Sequence, residues 1–261
     1  MSAADSPLGG LTVLLTRDPD RAATTISRLR SLGAEVDARA AIAFEDPKDP
    51  APADAAVERL DDFNWLVFTS PNGVAYFAER LRARGVEIPA GRSGVAAIGR
   101  GTARALEGID LSPEVVATEA DSAGLARALL SRVRDSQQVL IVRPEVAGDR
   151  VPNALRDAGA RVNEAAFYRT VPSPHAEELA RNVAAGSYEV IIFTSPSNLT
   201  FLLQAGGAQG VPIEQGINTA RRIAIGKTTA AALGREGFAA HAVARTPDDR
   251  GILDALLRAT S

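Results

Sequence analysis

The chain of 261 residues contains no cysteine and only two histidines. Without cysteine there is no disulfide, no catalytic thiolate and no metal site built on thiolates. His175 follows Pro174 in a polar linker, and His241 lies in a short apolar strand pattern, so neither belongs to a recognisable metal-binding or catalytic-triad motif. We therefore expect no metal ion.

An excess of positive charge and long apolar runs are also lacking. Lys and Arg together number 29 against 32 for Asp and Glu, so the formal net charge is −3 and nucleic-acid binding is not expected. No segment approaches the ~18 consecutive apolar residues of a membrane span. The opening MSAADSPLGG has neither the basic start nor the apolar centre of a secretory signal. We expect a cytoplasmic protein without membrane association.

What the chain does contain is a pattern that occurs twice. NWLVFTSPNGV resembles EVIIFTSPSNL, and the threonines of the two segments, Thr69 and Thr194, are 125 residues apart. AIGRGTARALEG resembles AIGKTTAAALGREG at an offset of 127, and VLLTRDPDRAATTISRLRSLGAEV resembles VLIVRPEVAGDRVPNALRDAGARV at an offset of 126. A weaker fourth pair is SAGLARALL and DRGILDALL. Self-similarity at one long offset predicts a duplicated domain.

Strand-type and helix-type segments alternate along the chain, which is typical of an α/β fold with parallel strands. After the apolar segment 11–16, Asp18 and Pro19 provide the N-cap and the first-turn proline of a helix that we expect Gly33 to close. The near-continuous apolar segment 65–68 predicts a strand that is covered on both faces. GGAQG, residues 206–210, does not follow a strand and is expected to be a turn.

Two segments interrupt this alternation. Residues 38–52 are extended and then rich in Pro and Asp, and residues 161–171 are extended and lead into Pro-Ser-Pro. If the chain leaves one lobe at the first segment and returns at the second, each lobe contains one copy of every repeated unit. We therefore predict two like α/β lobes, related by internal duplication and joined by a two-stranded hinge. The predicted limits are 1–38 with 173–261 for a discontinuous first lobe, 49–164 for the second, and 39–48 with 165–172 for the hinge.

The repeated turns place helix starts at the carboxyl edge of a parallel sheet, where unpaired backbone N–H groups favour an anion. Ser70 and Ser195, each before a proline, are good N-caps. One such turn is more often only a cap, but four of them, two per lobe, indicate a ligand with several negative groups between the lobes. Basic residues at strand ends or in the hinge are candidates to meet those groups: Arg17, Arg143, Arg169 and Lys227.

Two further patterns bear on the chemistry. IGKTT, residues 225–229, lacks the upstream glycine of a phosphate-binding loop, so it is weak evidence for a nucleotide. Tyr168 is the distinctive acid–base candidate because it lies in the predicted hinge, which faces the cleft of a two-lobed protein. From the pattern alone, a tyrosine packed at the rim of the core is an equally good interpretation.

The TSP turns, the AIGKTTAAALGREGF unit and the FYRTVP segment together resemble the uroporphyrinogen-III synthase family over residues 11–257. The resemblance implies two flavodoxin-like or Rossmann-like domains, the first discontinuous, joined by a two-stranded ladder. It also implies a cyclising hydro-lyase that acts on hydroxymethylbilane, a linear tetrapyrrole with many carboxylates. The terminal hydroxyl leaves as water, the resulting azafulvene attacks ring D at its substituted carbon, and a spiro intermediate leads to uroporphyrinogen III for haem and corrin biosynthesis. No cofactor is implied.

Carried to this chain, the resemblance implies that Tyr168 is the catalytic residue, a general acid that assists departure of the hydroxyl. It implies that residues of the repeated turns bind the substrate, and Arg17 joins them for its place at a strand end. The expected substrate-binding residues are Arg17, Thr69, Ser70, Thr102, Thr194, Ser195, Ser197, Thr228 and Thr229.

Two other functions compete with this one. The first is a non-enzymatic two-lobed module that closes on a small anionic ligand. The second is a nucleotide-dependent regulator, which the incomplete glycine motifs disfavour. For the synthase we expect a monomer that makes transient contacts with neighbouring enzymes of its pathway.

Overall fold

The computed structural model describes residues 6–88, 91 and 93–260. The chain divides into two compact units: unit 1 is Met1–Ala43 with Val171–Ser261, and unit 2 is Phe44–Thr170. Both divisions fall within the segments expected to form a hinge, and that role and the lobe limits stay predictions. The first five residues of the opening segment, on which the expectation of no secretory signal partly depends, lie outside the described residues.

Unit 1 contains a parallel sheet of five short strands. The strands are β1 (Thr12–Leu15), β2 (Glu35–Ala38), β9 (Val190–Phe193), β10 (Arg221–Ala224) and β11 (Ala242–Val243). They pair in the order β11-β10-β9-β1-β2, and every pair is parallel. The helices are α1 (Pro19–Ser31), α7 (Ala176–Ala184), α8 (Pro196–Gln209), α9 (Ile213–Thr219), α10 (Lys227–Arg235) and α11 (Asp249–Thr260).

Unit 2 is built around a second sheet. Its strands are β3 (Ile42–Glu45), β4 (Trp65–Phe68), β5 (Gly94–Ala97), β6 (Val115–Val116), β7 (Gln138–Pro144) and β8 (Arg161–Pro172). They lie in the order β3-β8-β7-β4-β5-β6, and the pairings from β8 to β6 are parallel. The helices are α2 (Ala51–Glu58), α3 (Pro71–Arg84), α4 (Arg100–Glu107), α5 (Ser122–Leu130) and α6 (Arg150–Asp157), with a 3-10 turn at Leu60–Asp62.

Matching segments of the repeat occupy matching places in the two sheets. The first sheet runs β2-β1-β9-β10-β11, and its counterparts in the second run β8-β7-β4-β5-β6. In each sheet the order of strands reverses once, between β1 and β9 and between β7 and β4. In doubly wound folds that reversal is where ligands bind, beyond the carboxyl ends of the strands. The expected α/β fold with parallel sheets is confirmed.

Both faces of each sheet are covered because successive strand residues point to opposite sides. In unit 2, Leu66 and Phe68 pack in a cluster with α2, α3 and α4, whereas Trp65 and Val67 pack in another with α5 and α6. In unit 1, the clusters formed by alternate residues of β1 and β9 include α7 to α10 on one side and α1 and α11 on the other. The buried strand expected at residues 65–68 is confirmed.

The expectation of a turn at residues 206–210 is wrong. These residues form the last turn of α8, and Gly210 ends the helix with a left-handed φ of 64°. Gly206 is buried against Ile213, and a Cβ at this position would collide with that side chain. Tertiary packing therefore outweighs the low helix propensity of two adjacent glycines. Helix α9, which directly follows, was not predicted either.

Candidate functional site

The described part of unit 2 contains two cavities of interest. The larger, of about 850 Å³, lies between α3, α4 and the segments that precede β5 and β6, and none of the expected site residues lines it. The smaller, of about 210 Å³, lies at the carboxyl ends of β4 and β7, and its lining includes Thr69, Arg143 and Tyr168. Its place at the reversal of strand order makes the smaller cavity the candidate site.

The turn after β4 positions Ser70. This residue is extended, with φ −165° and ψ 157°, and its Oγ accepts a hydrogen bond from the Gly73 N–H at 2.9 Å, while Pro71 begins α3. Ser195 has nearly the same geometry in unit 1, with φ −160° and ψ 157°, and caps α8 by accepting the Asn198 N–H at 3.2 Å. Both predicted N-caps are confirmed.

Tyr168 lies on β8 and is only 4% exposed. The β7–β8 pairing shifts register between Arg143 and Pro144, so that Pro144 stands opposite Tyr168 and Phe167 is passed over. Such a bulge changes the direction of the side chains that follow it. As a result, Phe167 and Tyr168, although consecutive in sequence, both contribute to the same buried cluster.

The Tyr168 ring contacts two other aromatic rings, and its hydroxyl lies beside that of Ser70. Phe44 meets it edge-on at 5.6 Å between centroids, and Tyr76 stacks on it at 5.5 Å with an interplanar angle of 21°. The Tyr168 hydroxyl is 2.8 Å from Ser70 Oγ. The structure therefore brings together the expected catalytic residue and one expected substrate-binding residue.

Burial raises the pKa of the Tyr168 hydroxyl, the hydrogen bond with Ser70 lowers it in part, and the neighbouring Tyr76 adds to the rise. The pKa of Tyr76 is also raised, first by its own burial and then by the nearby carboxylates of Asp46, Glu79 and Glu45. The Tyr168 phenol is therefore protonated at neutral pH. A protonated, buried phenol beside a cavity is suited to donate a proton.

Arg143 is 9% exposed and its charge is already paired within the chain. It forms an ion pair with Glu164 and donates to the Ala147 carbonyl oxygen at 2.7 Å. Arg17, its counterpart in unit 1, is half-buried and lies 3.4 Å from Asp249. Arg169 is 2.7 Å from Glu45. The arginines that were expected to bind substrate carboxylates are thus paired with carboxylates of the chain itself.

The threonines of the TSP turns hold strand ends together. The Thr69 hydroxyl donates to the Val142 carbonyl oxygen at 3.2 Å, and the Thr194 hydroxyl donates to that of Thr16, the residue that matches Val142 in the repeat. Both hydrogen bonds cross the reversal of strand order in their own sheet, so these hydroxyls have a structural partner before any ligand binds.

The threonines of the AIG turns are placed differently. Thr102 and Thr229, which match each other in the repeat, are 2% and 3% exposed, whereas Thr228 is exposed at the start of α10. Ser197 and Ser195 are half-buried in the first turn of α8 and at its cap. Substrate binding by these residues stays a prediction.

Sequence analysis missed Asn198, which is 3% exposed beside Ser195. Its Oδ1 accepts the Ala41 N–H at 2.9 Å, and its Nδ2 donates to Ser195 Oγ at 3.0 Å. The available signal was the asparagine at the third helical position, where the matching residue of unit 2 is Gly73. Phe44 and Tyr76 were also missed, because ring contacts across tens of residues leave no local pattern.

The described residues offer no cluster of His, Asp or Glu arranged to hold a metal ion. Of the helices described above, none is long and apolar enough to cross a membrane.

Comparison with known proteins identifies relatives along most of the chain. The family described as uroporphyrinogen-III synthase HemD matches residues 23–254. A uroporphyrinogen-III synthase of Chlorobaculum parvum is 27% identical over 232 residues, which are 87% of this chain and 90% of that protein. A porphyrin biosynthesis protein HemD of Ruminiclostridium josui is 25% identical over 87% of this chain, and the match spans only 44% of that longer protein.

Solved structures show the same fold. A mutant uroporphyrinogen III synthase of Thermus thermophilus superposes with a TM-score of 0.70 at 22% identity, covering 96% of this chain and 98% of that one. The uroporphyrinogen-III synthetase of Helicobacter pylori gives a TM-score of 0.58 at 18% identity, covering 95% and 98%. At these identities the likeness concerns the fold alone.

Proposed function

Because the chain belongs to the uroporphyrinogen-III synthase family, whose members are enzymes of tetrapyrrole biosynthesis, we propose that it converts hydroxymethylbilane into uroporphyrinogen III. The match over residues 23–254 favours this function over a non-enzymatic module that binds a small anion. The choice of substrate rests on the family, and the roles of individual residues are inferences from the geometry of unit 2.

The observation that carries the proposal is the buried hydroxyl of Tyr168 at the edge of the cavity, 2.8 Å from Ser70 Oγ. In the proposed reaction its proton goes to the terminal hydroxyl of the substrate, the C–O bond breaks, and water leaves. The azafulvene carbon bonds to the substituted α-carbon of ring D to give the spiro intermediate, the bond from that carbon to the methylene of ring C breaks, and this methylene bonds to the free α-carbon of ring D. The proton lost from that carbon when aromaticity is restored balances the one that Tyr168 supplied. Burial raises the pKa of Tyr168, so the phenol is protonated before the reaction, as a general acid must be.

The size of the cavity indicates that it holds only part of the substrate. Its volume of about 210 Å³ is below the ~300–1,000 Å³ typical of pockets that enclose a drug-sized ligand. It therefore suits the reacting terminal ring rather than the whole tetrapyrrole. Other carboxylates of the substrate would be bound by helix starts of unit 2 such as that at Ser70, where backbone N–H groups favour anions.

Such an enzyme acts mainly by positioning its substrate. Hydroxymethylbilane closes spontaneously without inversion of ring D, so the protein must hold the chain in the geometry that leads to the spiro intermediate. We further propose that the protein acts as a monomer in the cytoplasm, with transient contacts to neighbouring pathway enzymes.

The test is to incubate the purified chain with enzymatically generated hydroxymethylbilane, oxidise the product and separate the porphyrin isomers by chromatography. We expect the type III isomer, whereas buffer or heat-unfolded protein should yield type I from spontaneous closure. Formation of type I alone by the folded protein would reject the proposal. Tight binding of the substrate without any type III product would support the binding module instead.

A further inference from the structure

We propose that Ser70 is a positioning residue that donates its hydroxyl proton to Tyr168 Oη and thereby leaves the phenol proton free to point into the cavity. This inference rests on the proposed function for its consequence in catalysis. The hydrogen bond itself can be tested without any activity. It differs from the role of substrate ligand that the family resemblance implies for Ser70.

The first step is that the Ser70 hydroxyl is fixed by the backbone. Its Oγ accepts the Gly73 N–H at 2.9 Å, and this capping bond sets the rotamer of the side chain. A hydroxyl that accepts a hydrogen bond still has its own proton to donate. Tyr168 Oη, at 2.8 Å, is in place to receive that proton.

The second step is that the Tyr168 ring is fixed independently of Ser70. The ring stacks on Tyr76 and makes a T-shaped contact with Phe44, and the backbone carbonyl oxygen of Tyr168 accepts the Glu145 N–H at 2.8 Å. The hydroxyl therefore cannot swing away to find another partner without disturbing the core. Ser70 and Tyr168 are 98 residues apart in sequence and meet because two rigid elements present them to each other.

The third step is a comparison with the matching turn of unit 1. There the serine hydroxyl is bound by the side-chain amide of Asn198, whose Nδ2 donates to Ser195 Oγ at 3.0 Å. An amide donor forces that hydroxyl to act as an acceptor once more. In unit 2 the matching residue is Gly73, which has no side chain, so no side-chain amide from this position binds the Ser70 hydroxyl, and the hydroxyl is left to the phenol.

If Ser70 donates to the phenol oxygen, it stabilises the phenolate that forms when Tyr168 gives up its proton. Two kinds of charged or titratable groups lie near the pair. Tyr76 from α3 is the stacked neighbour that raises the pKa of Tyr168, and Arg143 from β7 lines the same cavity and is neutralised by Glu164. Neither group is altered by a substitution at Ser70.

The experiment is an ultraviolet titration of the tyrosines in the full-length chain. Because the chain has three tyrosines, the difference between the wild type and Tyr168→Phe isolates the Tyr168 curve. The same difference is then measured in the Ser70→Ala, Ser70→Gly and Ser70→Thr backgrounds. We expect Ala and Gly to move the Tyr168 curve to higher pH by about one unit, and Thr to restore it. The Gly variant guards against misfolding, since glycine is tolerated at an N-cap.

The matched control is Asp121→Ala, which removes the cap of α5 by deleting the acceptor of the Gly124 N–H. It should cost similar stability without moving the Tyr168 curve. For Ser70→Ala we also expect kcat to fall about tenfold while KM is retained. An unmoved titration curve, or a change in KM alone, would overturn the inference. A shifted curve in a protein that makes no type III isomer would overturn the proposed function and leave the hydrogen bond standing.

Discussion

The TSP turns of the two units share their backbone conformation and differ in the residue that follows the serine by three positions. In unit 1 this residue is Asn198, which binds Ser195 and the backbone of Ala41 and so completes the turn with its own amide. In unit 2 it is Gly73, and the hydroxyl of Tyr168 lies beside the serine instead. An added Cβ at Gly73 would stand 3.3 Å from Ser70 Oγ. The serine hydroxyl of this cap thus binds a side-chain amide of its own turn in unit 1 and lies beside the Tyr168 phenol in unit 2.

Substitution of the two buried tyrosines, Tyr168 and Tyr188, tests this difference between the units, and the largest effect is expected on kcat. Tyr168→Phe should lower kcat about 100-fold, which is within the usual contribution of a general acid, and should change stability by less than about 1 kcal/mol. Product formation from hydroxymethylbilane and urea unfolding measure the two quantities.

Tyr188→Phe in unit 1 is the control. The Tyr188 hydroxyl donates to Asp37 Oδ2 at 2.5 Å, and burial, followed by the effects of Asp37, raises the pKa of Tyr188 to about 12. Its loss should cost about 1 kcal/mol of stability and leave kcat unchanged. Equal rates for Tyr168→Phe and the wild type would contradict the acid role.

Each unit also contains a helical glycine at a position that has no room for a larger side chain. Gly124 and Gly251, at the third position of α5 and α11, donate to Asp121 and Asp248, and a Cβ on either would overlap the carbonyl oxygen of Glu119 or Thr246. We expect Gly124→Ala and Gly251→Ala each to destabilise the protein by about 2–3 kcal/mol.

Helical glycines with free space around them provide the contrast for that prediction. A Cβ at Gly207 or Gly234 would meet nothing within 4 Å, so alanine there should raise the free energy of unfolding by about 0.5–1 kcal/mol. Urea midpoints measure all four variants. Similar midpoints for the two pairs would show that the close approaches do not matter.

Asn198 tests whether the completed turn of unit 1 is structural. Asn198→Ala would leave the Ala41 N–H without its acceptor in a buried position, and we expect a loss of about 2 kcal/mol in the free energy of unfolding. Asn153→Ala, an exposed change on α6, should be nearly neutral. An equally small effect at both positions would mean that water or a rearranged backbone replaces the amide.

The parts of this comparison that sequence could predict are local. Asp18 before Pro19 and Ser70 before Pro71 mark helix starts because the cap and its helix are adjacent in the chain. The meeting of Ser70 with Tyr168 could not be predicted, since it depends on a register shift in β8 and on packing between residues 98 apart. The prediction of a turn at GGAQG was wrong for the same reason, because the helical conformation of Gly206 depends on its packing against Ile213.

The smallest expected effect is a pH dependence confined to unit 1. His241 and Glu114 match each other in the repeat. The His241 N–H donates to the Arg222 carbonyl oxygen, and the Glu114 N–H donates to the Val95 carbonyl oxygen in the same way. Only His241 adds a side-chain bond, because its Nδ1 accepts the Arg222 N–H at 3.1 Å. Burial lowers the pKa of His241, and the positive charges of Arg222 and Arg221 lower it further.

Because the folded protein holds a proton on His241 less readily than the unfolded chain does, stability is lost as pH falls below the ordinary histidine pKa of ~6.5 and is unaffected above it. The ring is exposed, so we expect the loss to be below about 0.5 kcal/mol. His241→Gln should remove this loss. His175 is present in both proteins, so its contribution to the pH dependence cancels in the comparison. Thermal unfolding of the two proteins at about pH 7.5 and 5.5 measures the difference. Parallel declines of the two proteins would show that the Nδ1 contact contributes nothing to the pH dependence of stability.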